Sequence, residues 1–387
     1  MNETASKAPG AVRRRRLHYF PGFDPRGPAH YHRLCREEAS KPQPDGSTVT
    51  VGAREKLSPY LSRWTVEWTE QGGATSVQNE HVFMGWDDVV RAHWTRNPLG
   101  LAREFVQTYA HIFRDVGAGR IWRMYRPVFK AGALPLALGL LPLLLAAVLG
   151  AAVGWGAAAL AVLAGAVGWL LAARAGLLWL LRICTFFYRM AVAPIPGLDA
   201  RTREWVDLVV ARQAEDPVDE VLLAGHSVGT LVMVGAVDAL LRDPRWQALN
   251  RGRPTMMLTL GQSIPMVAMA RPARAFREAV ERLSRHPDLC WWDVTARIDP
   301  LCFYNLHPLA GSGLAHRDAR SPRLHTARFM HMYQPSDWSR IRSDKLRAHF
   351  LYLLTPQKPG NFSPFDVFYG PRTLQQQIDD GRSPAHG

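Results

Sequence analysis

The spacing of apolar and polar positions divides this 387-residue chain into three regions of different character. In the first, "RLHYF" (16–20) predicts a short strand, "PGFDPRG" a turn and "PAHYHRLCREEAS" a helix. "STVTVGA", "RWTVEWTE" and "SVQNEHVFM" then alternate with the period of two expected of half-buried strands, and "QGGATS" supplies a hairpin turn between the last two. From Leu99 the period lengthens. Apolar residues at 101, 105, 106, 109, 112, 113 and 116 predict a helix that packs on the body or lies along a bilayer.

The second region has no polar face. No charged residue lies between Lys130 and Arg174, and one straight helix over that stretch would be about 65 Å long, about twice the hydrocarbon thickness of a bilayer. The pattern therefore predicts a fold-back at Gly150, Gly154 and Gly156, with spans near 134–152 and 157–174, the second able to continue through "AGLLWLLRICTFFYRM". A buried hairpin in a soluble protein is the competing reading, but soluble cores seldom need so long a run without polar residues. Arg120, Arg123, Arg126 and Lys130 precede the first span and Arg174, Arg182 and Arg189 follow the second, which predicts cytoplasmic flanks and termini by the positive-inside rule. Trp122, Tyr125, Phe129, Trp179, Phe186, Phe187 and Tyr188 suit the interface.

In the third region the two periods alternate. "LDARTREWVDLVVARQAED", "VGTLVMVGAVDALLRD" and "RPARAFREAVERLSRH" predict helices, and "EVLLAG", "TMMLTLG" and "DLCWWDVTARIDP" predict buried strands. That order implies crossover connections and a mostly parallel α/β sheet. The tail "DDGRSPAHG" reads as disordered. The expected organisation is a body in two parts, 1–130 and 182–387, around a transmembrane hairpin at 131–181.

Composition narrows the function. The net charge of +14 would suit an anionic partner, but the excess is Arg spread along the chain, without a zinc-finger or RNA-binding signature, which weighs against nucleic acid. The four cysteines form no C-x-x-C pair and read as reduced, mostly buried thiols. The histidines show no zinc spacing, so neither a metal nor a cofactor is expected, and "AHYHRLC" reads as a polar helix face. The N-terminus lacks the apolar core of a signal peptide, Arg13 to Arg16 leading straight into "LHYF".

Chemistry concentrates in "VLLAGHSVGTLVMVGAV" (221–237). G-x-S-x-G between a buried strand and a helix lifts a serine out of a strained turn in which a side chain at either glycine would strike neighbouring backbone, and so makes Ser227 a candidate nucleophile. A hydroxyl needs a base, and the base an orienting acid. Asp299, at the end of "DVTARIDP", is the preferred acid; Asp293, inside the strand, is expected to pair locally. Among His307, His316, His325, His331 and His349, the preferred base is His349 in "SDKLRAHFLYLLTP", with His331 its competitor. The oxyanion donors are expected to be the Val228 amide and that of Phe23 or Gly22 in "HYFPGFDPRG", with Asp24 as a helix cap.

"PGFDPRGPAHYHRL", "GHSVG", "TLGQSIP", "DVTARIDP" and "AHFLYL" together resemble the α/β-hydrolase superfamily and, within it, uncharacterised bacterial membrane-anchored hydrolases with motifs of the fungal (class 3) lipase type. The resemblance implies an α/β-hydrolase-like, mostly parallel sheet flanked by helices and interrupted by the hairpin. It assigns Ser227, Asp299 and His349 the three roles above. Thr230 departs from it, standing where such lipases often carry Gly or Ala, and secreted lipases have no hairpin before the elbow. The expectation is a serine esterase on the cytoplasmic side of a bacterial inner membrane, with membrane lipids as neighbours and an acyl ester or lipid as substrate. The alternative is an idle hydrolase-fold scaffold. A channel or transporter is disfavoured, because the spans contain no polar cluster.

Overall fold

The computed structural model describes residues 11–174, 178–314 and 319–381. Before the apolar region come strands β1 (Arg14–Phe20), β2 (Thr48–Val51), β3 (Glu55–Lys56), β4 (Leu61–Thr69) and β5 (Ser76–Met84), and helices α1 (Gly27–Ala39), α2 (Asp87–Ala92), α3 (Pro98–His111) and α4 (Ala118–Met124). The apolar region itself forms α5 (Arg126–Ala152) and α6 (Trp155–Arg174). Then follow α7 (Leu178–Val192), α8 (Leu198–Glu215), β6 (Glu220–His226), α9 (Gly229–Leu241), α10 (Pro244–Leu249), β7 (Thr255–Leu260), α11 (Ile264–Ala268), α12 (Arg274–Arg285) and β8 (Leu289–Thr295). The chain ends with β9 (Arg323–Thr326), α13 (Phe329–Met332), α14 (Pro335–Ser343), α15 (Lys345–Phe350), α16 (Pro364–Tyr369) and α17 (Leu374–Asp380).

One nine-stranded sheet runs in the order β2-β4-β5-β1-β6-β7-β8-β9, with β3 beside β4. From β5 to β9 every neighbour is parallel, and β2, β3 and β4 add an antiparallel edge. β1, from before the apolar region, pairs directly with β6, from after it, so the sheet needs both flanks. Side chains alternate between two packed layers: Val221, Leu223 and Trp291 join α7, α8, α9 and α12, whereas Leu222, Ala224 and Trp292 join α1, α16 and α17. Cover on both faces is why β6, β7 and β8 read as continuous apolar runs.

α5 and α6 are each long and apolar enough to cross a bilayer, and little of either is buried: Leu141, Leu144, Val148, Leu160 and Leu163 are all at least 60% exposed. The pair packs through small residues, since a Cβ on Gly165 would lie 2.3 Å from Pro142 Cβ and one on Gly150 3.2 Å from Ala158 Cβ. The reversal falls at Gly154, with φ +117.

Several expectations about the edges of this region need correction. α7 does not extend the second span; Leu178, Leu181, Ile183, Phe186 and Phe187 are buried in the body. Phe186 meets Phe23 at 5.1 Å and Trp86 at 5.5 Å between ring centroids, so it is core rather than an interfacial belt. Flanking arginines also serve the body: Arg189 pairs with Glu104 at 2.6 Å, and Arg182 donates to the Thr95 carbonyl and covers the Trp94 ring. α3 packs on α7, where Thr108 and Thr185 share a hydrogen bond of 3.0 Å, yet Leu99, Val106 and Phe113 form an exposed apolar stripe beside the hairpin. Of the tail, Asp379 and Asp380 belong to α17, and 382–387 lie outside the described residues. The edge strand β9 was missed because "RLHT" has no apolar alternation.

Candidate active site

Everything of interest lies at the carboxyl ends of β1, β6, β7 and β8. Ser227 follows β6 with φ +56, one of two non-glycine residues with positive φ among those described. Its N–H donates to the Leu260 carbonyl at the end of β7 (2.9 Å), and its own carbonyl accepts from Thr230 N–H (3.1 Å) and Thr230 Oγ (2.6 Å). Thr230, the departure from the lipase-like pattern, thus clamps the turn. The two glycines are needed for space: a Cβ on Gly229 would lie 2.3 Å from the carbonyl oxygens of both Phe20 and Pro21, and one on Gly225 3.1 Å from Thr230 Cα. Such contacts hold a side chain in a backbone region it would otherwise avoid.

His349, on α15, donates from Nδ1 to Asp299 Oδ2 at 2.9 Å, with both side chains almost fully buried. β8 stops at Thr295, and Asp299 sits in the loop beyond it, where Oδ1 accepts the Leu301 amide (2.9 Å) and Tyr352 Oη donates to Oδ2 (3.2 Å). Gly261, at φ +54, leaves room for the pair, since a Cβ there would lie 3.0 Å from Asp299 Oδ2. His226 packs against His349 with 4.7 Å between ring centroids and donates from Nε2 to the His349 carbonyl at 2.9 Å. Burial, and then the neighbouring His349, hold the His226 pKa down to about 3, so His226 stays neutral and acts as a wall.

Ser227 therefore lies next in the chain to the residue that packs on the His349–Asp299 pair. Nε2 of His349 is buried and has no protein partner, and Ser227 Oγ makes no hydrogen bond to it in this structure. Such bonds commonly close only with substrate in place. On the other side, Gly22 approaches so closely that a Cβ there would lie 3.4 Å from Ser227 Cβ. The turn is closed by Asp24 N–H donating to the Gly22 carbonyl (2.8 Å), which leaves the amides of Gly22 and Phe23 outside that bond. Val228 begins the turn into α9.

The other candidates separate cleanly. Asp293 lies inside β8, where it accepts from Thr259 Oγ at 2.5 Å, and burial pushes its pKa up to about 7. His331 is exposed on α13, and His325 is bonded to the Asn361 carbonyl. His307 is bonded to the Ser321 carbonyl, and His316 lies outside the described residues. Asp24 stands two residues before the N-cap Arg26 and its carboxylate accepts the Arg26 amide (3.0 Å) as well as the Arg26 guanidinium (2.6 Å) and the Tyr31 hydroxyl. Tyr352, His226 and Gly261 escaped the sequence reading, although Tyr352 stands three residues after His349, close to one helical turn.

Among the described residues no group of His, Cys, Asp and Glu side chains is placed to hold a metal. A cleft of ≈ 530 Å³ at the opposite end of β1 is lined by Arg14, Arg16 and Arg212, but their partners Asp216 and Glu80 already occupy them. No known protein family, curated protein or solved structure matches this chain.

Proposed function

We propose that this chain is a serine hydrolase of the α/β-hydrolase type, held on a membrane by the α5–α6 hairpin and cleaving an acyl ester. The observation that carries the proposal is the convergence at one end of the sheet of a strained, glycine-flanked Ser227 and a buried His349–Asp299 pair bonded at 2.9 Å. Ser227 Oγ attacks the ester carbonyl while His349 Nε2 takes its proton, and Asp299 stabilises the resulting imidazolium. The carbonyl oxygen, now negative, accepts from the Val228 amide and from Gly22 or Phe23. The C–O bond to the alcohol breaks, the alcohol leaves with the proton from His349, and an acyl-serine remains. Water, deprotonated by the same imidazole, then releases the carboxylic acid and restores Ser227.

Membrane anchorage is supported by the exposed apolar surface of α5 and α6, which would be costly in water, and by the stripe Leu99, Val106 and Phe113 alongside. A hairpin returns the chain to its starting side, so body and termini share one compartment, the cytoplasm by the charge of Arg123, Arg126 and Lys130 at the start of the first span. The unmade Ser227–His349 bond favours the second reading, an idle scaffold. Labelling membranes containing the full chain with a fluorophosphonate separates the two: the hydrolase is labelled and Ser227→Ala is not, whereas a scaffold leaves both unlabelled.

A further inference from the structure

The catalytic groups build only part of the surroundings of Ser227. The remainder is a cavity of ≈ 50 Å³ whose wall is made by Val128, Ala131 and Gly132 from the first turns of α5 and by Ile183 and Phe187 from α7. α5 is the first arm of the hairpin and α7 follows its second, and α5 runs on from this wall as an exposed apolar rod through Leu141, Leu144 and Val148. The lining carries no charge, and the hydroxyl of Ser263, which also reaches the cavity, already donates to the Leu301 carbonyl (3.3 Å). A polar group placed there would lose its water without replacement, whereas an alkyl chain would lose only apolar hydration. A Cβ on Gly132 would meet no atom within 4 Å, so that position opens onto free space, and the side chains that set the girth of the wall are Val128, Ala131, Ile183 and Phe187. The Gly132 carbonyl accepts from Tyr109 Oη on α3 at 2.6 Å, which ties the wall to the body.

We propose that the anchor is part of the active site. The bases of α5 and α7 form the acyl-binding wall: the ≈ 50 Å³ between them holds about the first two carbons of the acyl chain of an ester drawn from the bilayer, with its carbonyl at Ser227, and the rest of the chain lies along the exposed apolar surface of α5. This rests on the serine hydrolase reading and adds the substrate class: a bilayer ester, recognised by its alkyl chain. The apolar surface of α5 leads from the lipid to the nucleophile, so the acyl chain need not pass through water. Selection among esters is then made by the length and girth of the alkyl chain.

The test uses the full chain in membranes and measures labelling rates at Ser227 with ethyl, octyl and dodecyl fluorophosphonates. Octyl should outpace ethyl by about tenfold or more in the wild type, and Ala131→Leu, which narrows the wall, should lower that ratio about fivefold or more. Ile183→Ala, which widens the same wall, should favour dodecyl over octyl. Thermal unfolding certifies that each variant is folded; if Ala131→Leu is unfolded, the Ile183→Ala ratio decides. Faster labelling by ethyl than by octyl in the wild type, or chain-length ratios unmoved by the substitutions, overturns the acyl wall and leaves the hydrolase intact. Absence of labelling by all three probes removes the hydrolase reading, and this inference with it.

Discussion

Replacing Asp299 by Asn isolates one proton at the centre of the site. Oδ1 accepts the Leu301 amide at 2.9 Å, so the side-chain oxygen of the variant must stay there and the NH2 group takes the place of Oδ2. At that corner it faces His349 Nδ1, which in the native protein donates to the carboxylate at 2.9 Å. Two donors cannot share that contact. The imidazole must instead carry its proton on Nε2, the atom that in the proposed mechanism accepts the proton of Ser227. Tyr352, 3.2 Å from Oδ2, can turn its hydroxyl to accept from the new amide, and the shape of the side chain hardly changes, so folding should survive. The expected loss is about 10⁴-fold in kcat with KM little changed, which corresponds to about 5.5 kcal/mol of barrier. Tyr352→Phe removes only one further bond to the carboxylate and should cost about tenfold or less. The assay is ester hydrolysis by the full chain in membranes, with thermal unfolding to certify the fold. Activity of Asp299→Asn within about tenfold of wild type, while Ser227→Ala is inactive, would refute the tautomer reasoning and remove Asp299 from the role of orienting acid.

Gly229→Ala should destabilise the protein by about 3 kcal/mol in denaturant unfolding, because the added methyl must displace the Phe20 and Pro21 carbonyls, whereas Gly225→Ala, with contacts near 3.1 Å, should cost less. Reporter fusions at Gly154 and at the C-terminus should report opposite compartments; agreement between them would exclude a two-span hairpin. Burial keeps His18, His81 and His226 neutral, with pKa values of about 3, while the unfolded chain binds their protons below about 6.5, so stability should fall as the pH drops from about 6.5 towards 3. Asp293 has the opposite sign: its pKa of about 7 means that the folded chain keeps a proton the unfolded chain releases above about 4, so its contribution is present at low pH and lost as the pH rises to about 7. Asp293→Asn should therefore steepen the loss on acidification, read as the denaturant midpoint from pH 7 to 4; an unchanged slope would show that this carboxyl does not titrate in that range.

Local rules made much of this protein legible. Gly225-His226-Ser227-Val228-Gly229 between two apolar runs announced the strained turn, because the steric demand at both glycines is met within a few residues and one neighbouring strand. The continuous apolar runs of β6, β7 and β8 announced a sheet covered on both faces, and the uncharged stretch after Lys130 announced two long apolar helices, since length and hydropathy are properties of the chain alone. What neighbours supply could not be read that way. "LWLLRICTFFYRM" is as apolar as a membrane segment, and only the contacts of Phe186 with Phe23 and Trp86 make it core. Arg182 and Arg189 resemble topology signals until Thr95 and Glu104 claim them. Asp293 and Asp299 differ by six positions and are chemically identical; the register of β8 turns one onto Thr259 inside the sheet, while the end of the strand frees the other for His349. The cavity beside Ser227 is the extreme case, its wall assembled from the base of the hairpin's first arm and from the helix that follows the hairpin, because packing in three dimensions joins segments that no local period relates.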